Sequence, residues 1–272
     1  MRSLWELARL NTAQRKELQV NPVRKMMIGA YAPCEPAVMD GIFSFLDSEK
    51  KYPLKTIHKI MDRFASMTIN TTVMTYEEVV DFVKGIPDDF KIAKGPCACR
   101  LHTAEDLGPD AIDIEAGELD FCQQSPLNVD IQIATCAEKF GSLDTYEYIT
   151  KDELLRLEKE CHNMGLVPNV YMMFGGDAGI CHCSSATCVP FIANRAIKGK
   201  SSVIKRGQYL ASTDSKQCDG TGYCAKVCHF GARSFVPENG VGKLHVNKAL
   251  CYGCGLCAVV CPQNAITMVS RF

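Results

Sequence analysis

Near the C-terminal end, Cys251-Tyr252-Gly253-Cys254-Gly255-Leu256-Cys257-Ala258-Val259-Val260-Cys261-Pro262 forms a C-x2-C-x2-C-x3-C-P run. Three thiolates at two-residue gaps can wrap one iron–sulfur cubane corner by corner, while the fourth, three residues on and before a proline, is directed away to a second cluster. A zinc site would ask only for one cysteine pair from each of two loops. The same spacing among disulfides or core thiols would be a coincidence. Shifting the chain by 33 residues lays Cys218 on Cys251, Cys224 on Cys257 and Cys228 on Cys261, an internal duplication.

The duplicated segment, about residues 208–272, resembles the bacterial two-cluster ferredoxin domain. The resemblance implies two short β-α-β halves related by a pseudo-twofold axis. It also implies a crossover of ligands: Cys251, Cys254 and Cys257 with Cys228 on a [4Fe-4S] cluster, and Cys218 and Cys224 with Cys261 on the other. The second set departs from the family pattern, because the shift places Thr221 opposite Cys254; His229 also replaces Pro262. A cubane short of one thiolate either loses that iron, giving [3Fe-4S], or keeps a labile iron held by water, Asp219 or an outside ligand. Each outcome changes the charge and hydrogen bonding that set its potential. The first is the expected one.

Sixteen cysteines in 272 residues are far more than a chain of this length needs as staples, and nine of them lie upstream of the duplication. Cys97-Ala98-Cys99-Arg100-Leu101-His102 follows a Gly-Pro turn, and Cys181-His182-Cys183 follows the glycine-rich stretch 175–179. Two C-x-C pairs on mobile backbone, with a cation at Arg100 to offset thiolate charge, suit a third metal site. With Cys122 and Cys136 the candidate ligands are Cys97, Cys99, Cys122, Cys136, Cys181 and Cys183, for [4Fe-4S] in preference to zinc. Cys188 also falls at a loop or strand end. The bland alternative is a set of buried, inert thiols. Pro96-Cys97-x-Cys99-Arg100, the cysteines at 122 and 136, Gly165-Leu166-Val167 and Ile180-Cys181-x-Cys183 together resemble a group of poorly characterised iron–sulfur proteins of anaerobic bacteria that also end in a two-cluster ferredoxin domain. In those proteins a denser cysteine string follows the Ile-Cys pair, where this chain has Ser184, Ser185, Ala186 and Thr187. Cys34 and Cys161, without paired partners, read as structural.

These groups must be held by a scaffold, and its pattern is mixed. Leu4, Leu7, Ala8 and Leu10, and again Leu54, Ile57, Ile60, Met61 and Phe64, lie at helical spacing; His58 sits within the second of these stripes. Thr75-x-x-Glu78 and Thr150-x-x-Glu153 are capping boxes that open apolar-periodic runs, the second ending at Gly165. Val129, Ile131 and Ile133 alternate as in a half-buried strand, Val167–Phe174 reads as a buried strand and Val189–Ile197 as a helix. The expected fold class is α+β: an α/β N-terminal domain with a helical N-terminal extension, plus the ferredoxin-like domain. The divisions are a mainly helical region at 1–90, a cysteine-containing α/β domain at 91–194, a basic linker at 195–207 and the two-cluster domain at 208–272. Gly199-Lys200-Ser201 imitates the end of a phosphate-binding loop, but Asn194 replaces its first glycine.

Thirty basic against 31 acidic residues give no reason to expect nucleic-acid binding. No stretch is apolar enough for a membrane span, and the first ten residues are interrupted by charge too early for a secretory core, so a cytoplasmic protein is expected. Residues 208–272 carry six basic and three acidic side chains, unlike the acidic surface of diffusing ferredoxins, which suits a built-in electron wire. The leading expectation is an electron-relay subunit or module of a larger anaerobic oxidoreductase system, working with a redox partner protein. Two alternatives stand beside it: a reductase whose N-terminal Cys/His/Arg site is fed by the ferredoxin half, and a redox or iron sensor using the three-cysteine cluster.

Overall fold

In the computed structural model of the chain, residues 22–35, 37–38, 69–101, 127–173, 177–188, 190–191, 194, 203–238 and 241–272 are described. The two stripes expected at 4–10 and 54–64, with His58, His102 and Cys122, lie outside the described residues. The helix expected over 189–197 is described, as helical, only at 190, 191 and 194.

In chain order the N-terminal part contains α1 (Pro22–Tyr31), β1 (Ile69–Val73), α2 (Tyr76–Lys84), β2 (Ile92–Gly95), β3 (Asp130–Ile133), α3 (Thr135–Phe140), β4 (Glu147–Tyr148), α4 (Lys151–Asn163), β5 (Val167–Met173), β6 (Asp177–Cys183) and β7 (Ile204–Lys205). Both capping boxes form. The Thr75 hydroxyl accepts from the Glu78 N–H while the Glu78 carboxylate accepts from the Thr75 N–H, and Thr150 and Glu153 repeat the exchange. Each satisfies two otherwise orphaned donors, which is why these helices start where they do. Gly165, just past α4, takes the positive φ expected of a glycine in that place.

The strands make one seven-stranded sheet in the order β4-β2-β3-β6-β5-β1-β7, antiparallel except for the parallel β1–β7 pair. β1 comes from the stretch expected to be mainly helical, and β7 from the expected linker, so the sheet runs across both of those divisions. The β-branched run Ile69-Asn-Thr-Thr-Val73 suits a pleated strand better than a helix. α2 and α4 cover one face, and their Val79, Val83 and Leu154 bury with Ile131, Val170, Met172 and Ile180 of the sheet.

β3 differs from the half-buried strand its alternation suggested: all four residues are buried. Its polar positions stay inside because they bond to each other and to the next layer. Asp130 accepts from Gln132 Nε2 at 2.6 Å, from the Tyr146 hydroxyl at 2.7 Å and from the Tyr171 hydroxyl at 3.1 Å.

Side chains alternate across β6, so His182 points to the face opposite Cys181 and Cys183. Its Nδ1 donates to the Val129 carbonyl and its Nε2 to Glu158 of α4, both at 2.9 Å. Donating from both nitrogens requires the imidazolium form. Burial is the largest single influence and opposes that charge, but Glu158 and Cys161 together hold the His182 pKa well above its ordinary value. This pair pins α4 to the sheet directly behind the thiols.

The C-terminal module consists of β8 (Tyr209–Thr213), α5 (Tyr223–Lys226), β9 (Arg233–Glu238), β10 (Val241–Val246), α6 (Leu256–Val259) and β11 (Ile266–Ser270), with β8 paired to β11 and β9 to β10. Its backbone repeats at the spacing of the cysteines. Gly220 and Gly253 (φ 75° and 88°), Gly222 and Gly255 (76° and 83°), and Gly231 and Asn264 (64° and 50°) are left-handed pairs, each 33 residues apart. Such positions favour residues without a Cβ, and at Gly253 a Cβ would also lie 2.3 Å from the Tyr209 carbonyl oxygen.

The two parts share a core. Val73, Val167, Cys183, Cys188 and Phe191 bury together with Cys224, Val227, Tyr252, Leu256 and Ile266. Gly207, which leads into the module, donates to the Tyr252 carbonyl at 2.9 Å and passes so close to Val73 that a Cβ would lie 2.4 Å from its carbonyl oxygen.

Glu158→Ala strands the buried His182 imidazole without its counter-charge and should cost about 3–5 kcal/mol. The measurement is urea unfolding of the full chain. A loss below about 1 kcal/mol, the usual value of an exposed pair, would show that the pair carries little of the stability.

Candidate metal centres

The thiols gather in three places. In the module, Cys254 lies within electrostatic reach of Cys257, Cys228 and Cys251. Burial is the main force raising the Cys254 thiol, and the Leu256 N–H bonded to its sulfur opposes that rise. Cys257 is pushed up to about 11, chiefly by burial, with the Arg233 guanidinium acting in the other direction. Cys228 thus joins the 251–257 run across 23 residues or more of chain.

Cys224 instead faces Cys218 and Cys261. These three thiols line a pocket of about 320 Å3, its open mouth included, together with Thr221, Asp219, Gly220, Gly222 and Tyr223. Thr221 is exposed and by the 33-residue shift stands opposite Cys254 of the second repeat. Asp219 also lines the pocket, but its carboxylate is engaged elsewhere, accepting from the Thr221 N–H and from Gln263 Nε2, both at 3.1 Å. Cys261 Sγ accepts the Ala265 N–H at 3.3 Å.

Between these two groups lies Arg233, only 4% exposed. Its Nη1 donates to Thr213 Oγ1 at 2.8 Å and stands 3.9 Å from Cys224 Sγ, while its Nη2 donates to the Ala211 carbonyl at 3.4 Å. Burial raises the pKa of both Cys224 and Cys257, and the guanidinium opposes that rise. By the 33-residue shift Arg233 stands where the second repeat has Ile266, an apolar core residue. A charge in that position faces the sulfur of both groups.

The third group gathers around the end of the central strand β6 and the segment that follows β2. The Cys97 thiol bonds to Cys99, Cys181 bonds to Cys183, and Cys188 bonds to both Cys183 and Cys99. The neighbouring thiols of Cys181 and Cys188 hold the Cys183 pKa well below its ordinary value. Buried Arg100 adds to this effect and is fixed by donating to the His182 carbonyl. The two C-x-C pairs, 84 residues apart in sequence, therefore meet. Cys136 is fully buried among Ile28, Ala32, Phe140 and Tyr171, with Cys181 packed against that cluster. Cys161 is buried in α4 and bonds to His182 on the other face, as a structural thiol would. Cys34, read as structural, is exposed at the end of a short 3-10 turn.

Cys181 also touches a polar network. Its Sγ lies 3.4 Å from Asp130 Oδ1, and Asp130 is the acceptor for Gln132, Tyr146 and Tyr171. Burial raises the pKa of Asp130 and that of nearby Glu35, and Asp130 adds its charge to the effect on Glu35. The Gln132 Oε1 is buried with no protein partner.

Residues 217–265 match the family model of the 4Fe-4S dicluster domain. The module is a ferredoxin-type iron–sulfur domain. That match encloses all seven of its cysteines, and it assigns the module [4Fe-4S] binding and an electron-transfer role. A search of curated proteins returns no match to the chain. Among the described residues no helix is long and apolar enough to cross a membrane. Nor do three His, Cys, Asp or Glu side chains among them close on a single point as the ligands of one metal ion would.

The donor chemistry fits the cluster. Buried thiols ionise only against a cation or a metal, and cluster irons supply that charge. The one guanidinium facing both module groups bonds to a hydroxyl, a carbonyl and sulfur, and to no carboxylate in these contacts.

Several of these residues were not singled out by pattern. Cys188 sits five residues after Cys183 and Arg233 ends a Gly-Ala-Arg turn, neither with a motif of its own. The available signal for Arg233 was its mismatch with Ile266 in the repeat. Asp130 and Gln132 sit at alternate positions of an apolar strand, where polar residues ordinarily face water.

Arg233→Gln removes a buried positive charge beside Cys224 and Cys257, so reduction, which adds negative charge, becomes harder. The module's midpoint potentials in an EPR-monitored redox titration should move to more negative values, and Arg233→Lys should restore most of the difference. Equal potentials in all three proteins would leave Arg233 a packing role only.

Proposed function

We propose that this protein is an internal electron relay, in which the ferredoxin-type module feeds a third iron–sulfur centre held by the N-terminal sheet, as part of a larger oxidoreductase system. Cys228, Cys251, Cys254 and Cys257 would hold a [4Fe-4S] cluster. Cys218, Cys224 and Cys261 would hold a [3Fe-4S] cluster, or a [4Fe-4S] cluster with one labile iron, at the Thr221 corner. Cys97, Cys99, Cys183 and Cys188 would hold the third. Cys181, the fifth thiol there, is engaged by Asp130. When bound, such clusters accept and release single electrons without bond making.

The observation that carries this reading is the meeting of five thiols from three chain segments beside a buried arginine, on sheet residues that pack directly against the module. The protein's own contribution is placement. Arg100 and Arg233 supply positive charge, backbone N–H groups bond to Cys254 and Cys261, and the shared core excludes water between the two parts. The open pocket at Thr221 is the place where an iron could leave or an outside ligand could enter.

Iron quantitation and EPR on anaerobically purified protein test the assignment. The full chain should hold about 11 or 12 iron atoms, against the roughly seven or eight that the module alone accounts for. Cys188→Ala should lose about four of them and keep the module signals, while Cys181→Ala should keep all three centres. Iron at the module's share alone, unchanged in both variants, overturns the third centre.

Thr221→Cys provides the missing thiolate. If the corner is short of a ligand, this variant converts the [3Fe-4S] signal of the oxidised protein into a further [4Fe-4S] signal on reduction. An unaltered spectrum would mean that Thr221 is not at the coordination corner.

A second reading, reduction of a small substrate in the N-terminal part, draws on the buried network around Asp130. Tyr146, Tyr171, Gln132 and Cys181 all converge on that carboxyl, beside Glu35 and next to the thiols.

A further inference from the structure

His229 directly follows Cys228 and takes the place that proline holds in the second repeat, at Pro262. It does not face solvent. Its Nε2 donates to the Gly165 carbonyl at 2.8 Å, and its Nδ1 accepts the backbone N–H of Ser185 at 3.1 Å, with the Ser185 hydroxyl 3.2 Å away. Accepting a backbone N–H at Nδ1 leaves the ring hydrogen on Nε2, so both bonds are served by one tautomer of the neutral ring. Both partners belong to the N-terminal part. Gly165 is the left-handed turn between α4 and β5, and Ser185 lies in the turn between Cys183 and Cys188.

The thiol loops of the two parts are thus joined through one side chain: from Cys228 to its chain neighbour His229, across a single hydrogen bond to Ser185, and along two or three residues to Cys183 or Cys188. A proline at 229 could make neither bond. Around this contact the rings of Phe191, Phe230 and Tyr252 stack in series with centroids 4.8 and 4.2 Å apart, Phe191 meets the His229 ring edge-on at 6.2 Å, and the Tyr252 hydroxyl donates to Asn194 at 3.0 Å. Phe191 lies three residues after Cys188, and Tyr252 follows Cys251.

We propose that His229 is the positioning residue that locks the Cys228 loop onto the Cys183–Cys188 turn and so fixes the separation across which an electron passes between the module and the N-terminal centre. The proposal rests on the relay reading for its electron-transfer part. The step moves one electron from the reduced to the oxidised centre, with no proton and no bond change.

The test uses the full chain with His229→Ala, His229→Asn, which keeps an acceptor where Nδ1 stands, and His229→Gln, which keeps a donor where Nε2 stands. Amide hydrogen exchange reads the lock directly. In His229→Ala the Ser185 amide should exchange roughly fivefold faster, the effect of losing one hydrogen bond, and His229→Asn should return it towards the wild-type rate while His229→Gln does not. Unchanged exchange at Ser185 in His229→Ala overturns the lock.

In the same samples, the rate at which the N-terminal centre is reduced after rapid photoreduction of the module should fall about tenfold in His229→Ala, since the contact is a directly bonded link between the two thiol loops, and recover in His229→Asn. A slow variant with full iron and intact EPR signals supports the proposal, and a wild-type rate with full iron overturns it. Protein lacking the N-terminal iron altogether refutes the relay reading instead, and the exchange data then still decide whether His229 docks the two parts.

Discussion

Sulfur buried in a protein interior remains protonated unless positive charge is brought to it, and a protonated thiol binds no iron. Twelve cysteines of this chain gather in three groups, and burial pushes members of each group towards the protonated form. Against this the fold sets two buried guanidiniums among the described residues. Arg100 is held by the His182 carbonyl beside the N-terminal thiols, and Arg233 sits where the two module groups meet. Much of the remaining architecture serves to hold these cations in place. α4 is fixed to β6 by the Glu158–His182 pair, β6 carries Cys181 and Cys183 on its other face, and β8 supplies the oxygens that orient Arg233.

The parts of this arrangement that depend on neighbours in sequence could be read directly. The capping boxes at Thr75 and Thr150 act over three residues, and the module's cysteine run and its 33-residue duplication are written in the chain. Even the left-handed residues of the two repeats follow the same shift. What depends on distant partners was not readable. β1 becomes a strand by lying between β5 and β7, and Asp130 is tolerated inside because Tyr146 and Tyr171 lie over it. Cys188 gained significance only when the turn after β6 brought it to Cys99. His229 reads in the sequence only as a replacement for the proline of the second repeat, because its partners stand 64 and 44 residues away.

The two C-x-C pairs illustrate how topology replaces motif. Cys97 and Cys99 follow β2 at one end of the sheet, while Cys181 and Cys183 close β6 two places along. Neither pair has the spacing to surround a cluster alone. β3 lies between them and carries Asp130, so the site acquires a polar floor as well as thiols. Among the module thiols, Cys224 and Cys257 are instead buried in the apolar core shared by the two parts.

The short strand β7 has a further consequence. It pairs with β1 through only two residues, Ile204 and Lys205, and among the described residues is the last strand on that side of the sheet, immediately before the chain enters the module. Without it, β1 would present a row of open hydrogen-bonding groups, the kind of border along which sheets of separate molecules join and aggregate. The segment that leads into the electron-transfer module therefore also covers Thr71 and Thr72 of that border. Parting the chain ahead of residue 204 would therefore take β7 away from the sheet together with the module and leave Thr71 and Thr72 of β1 without that pairing.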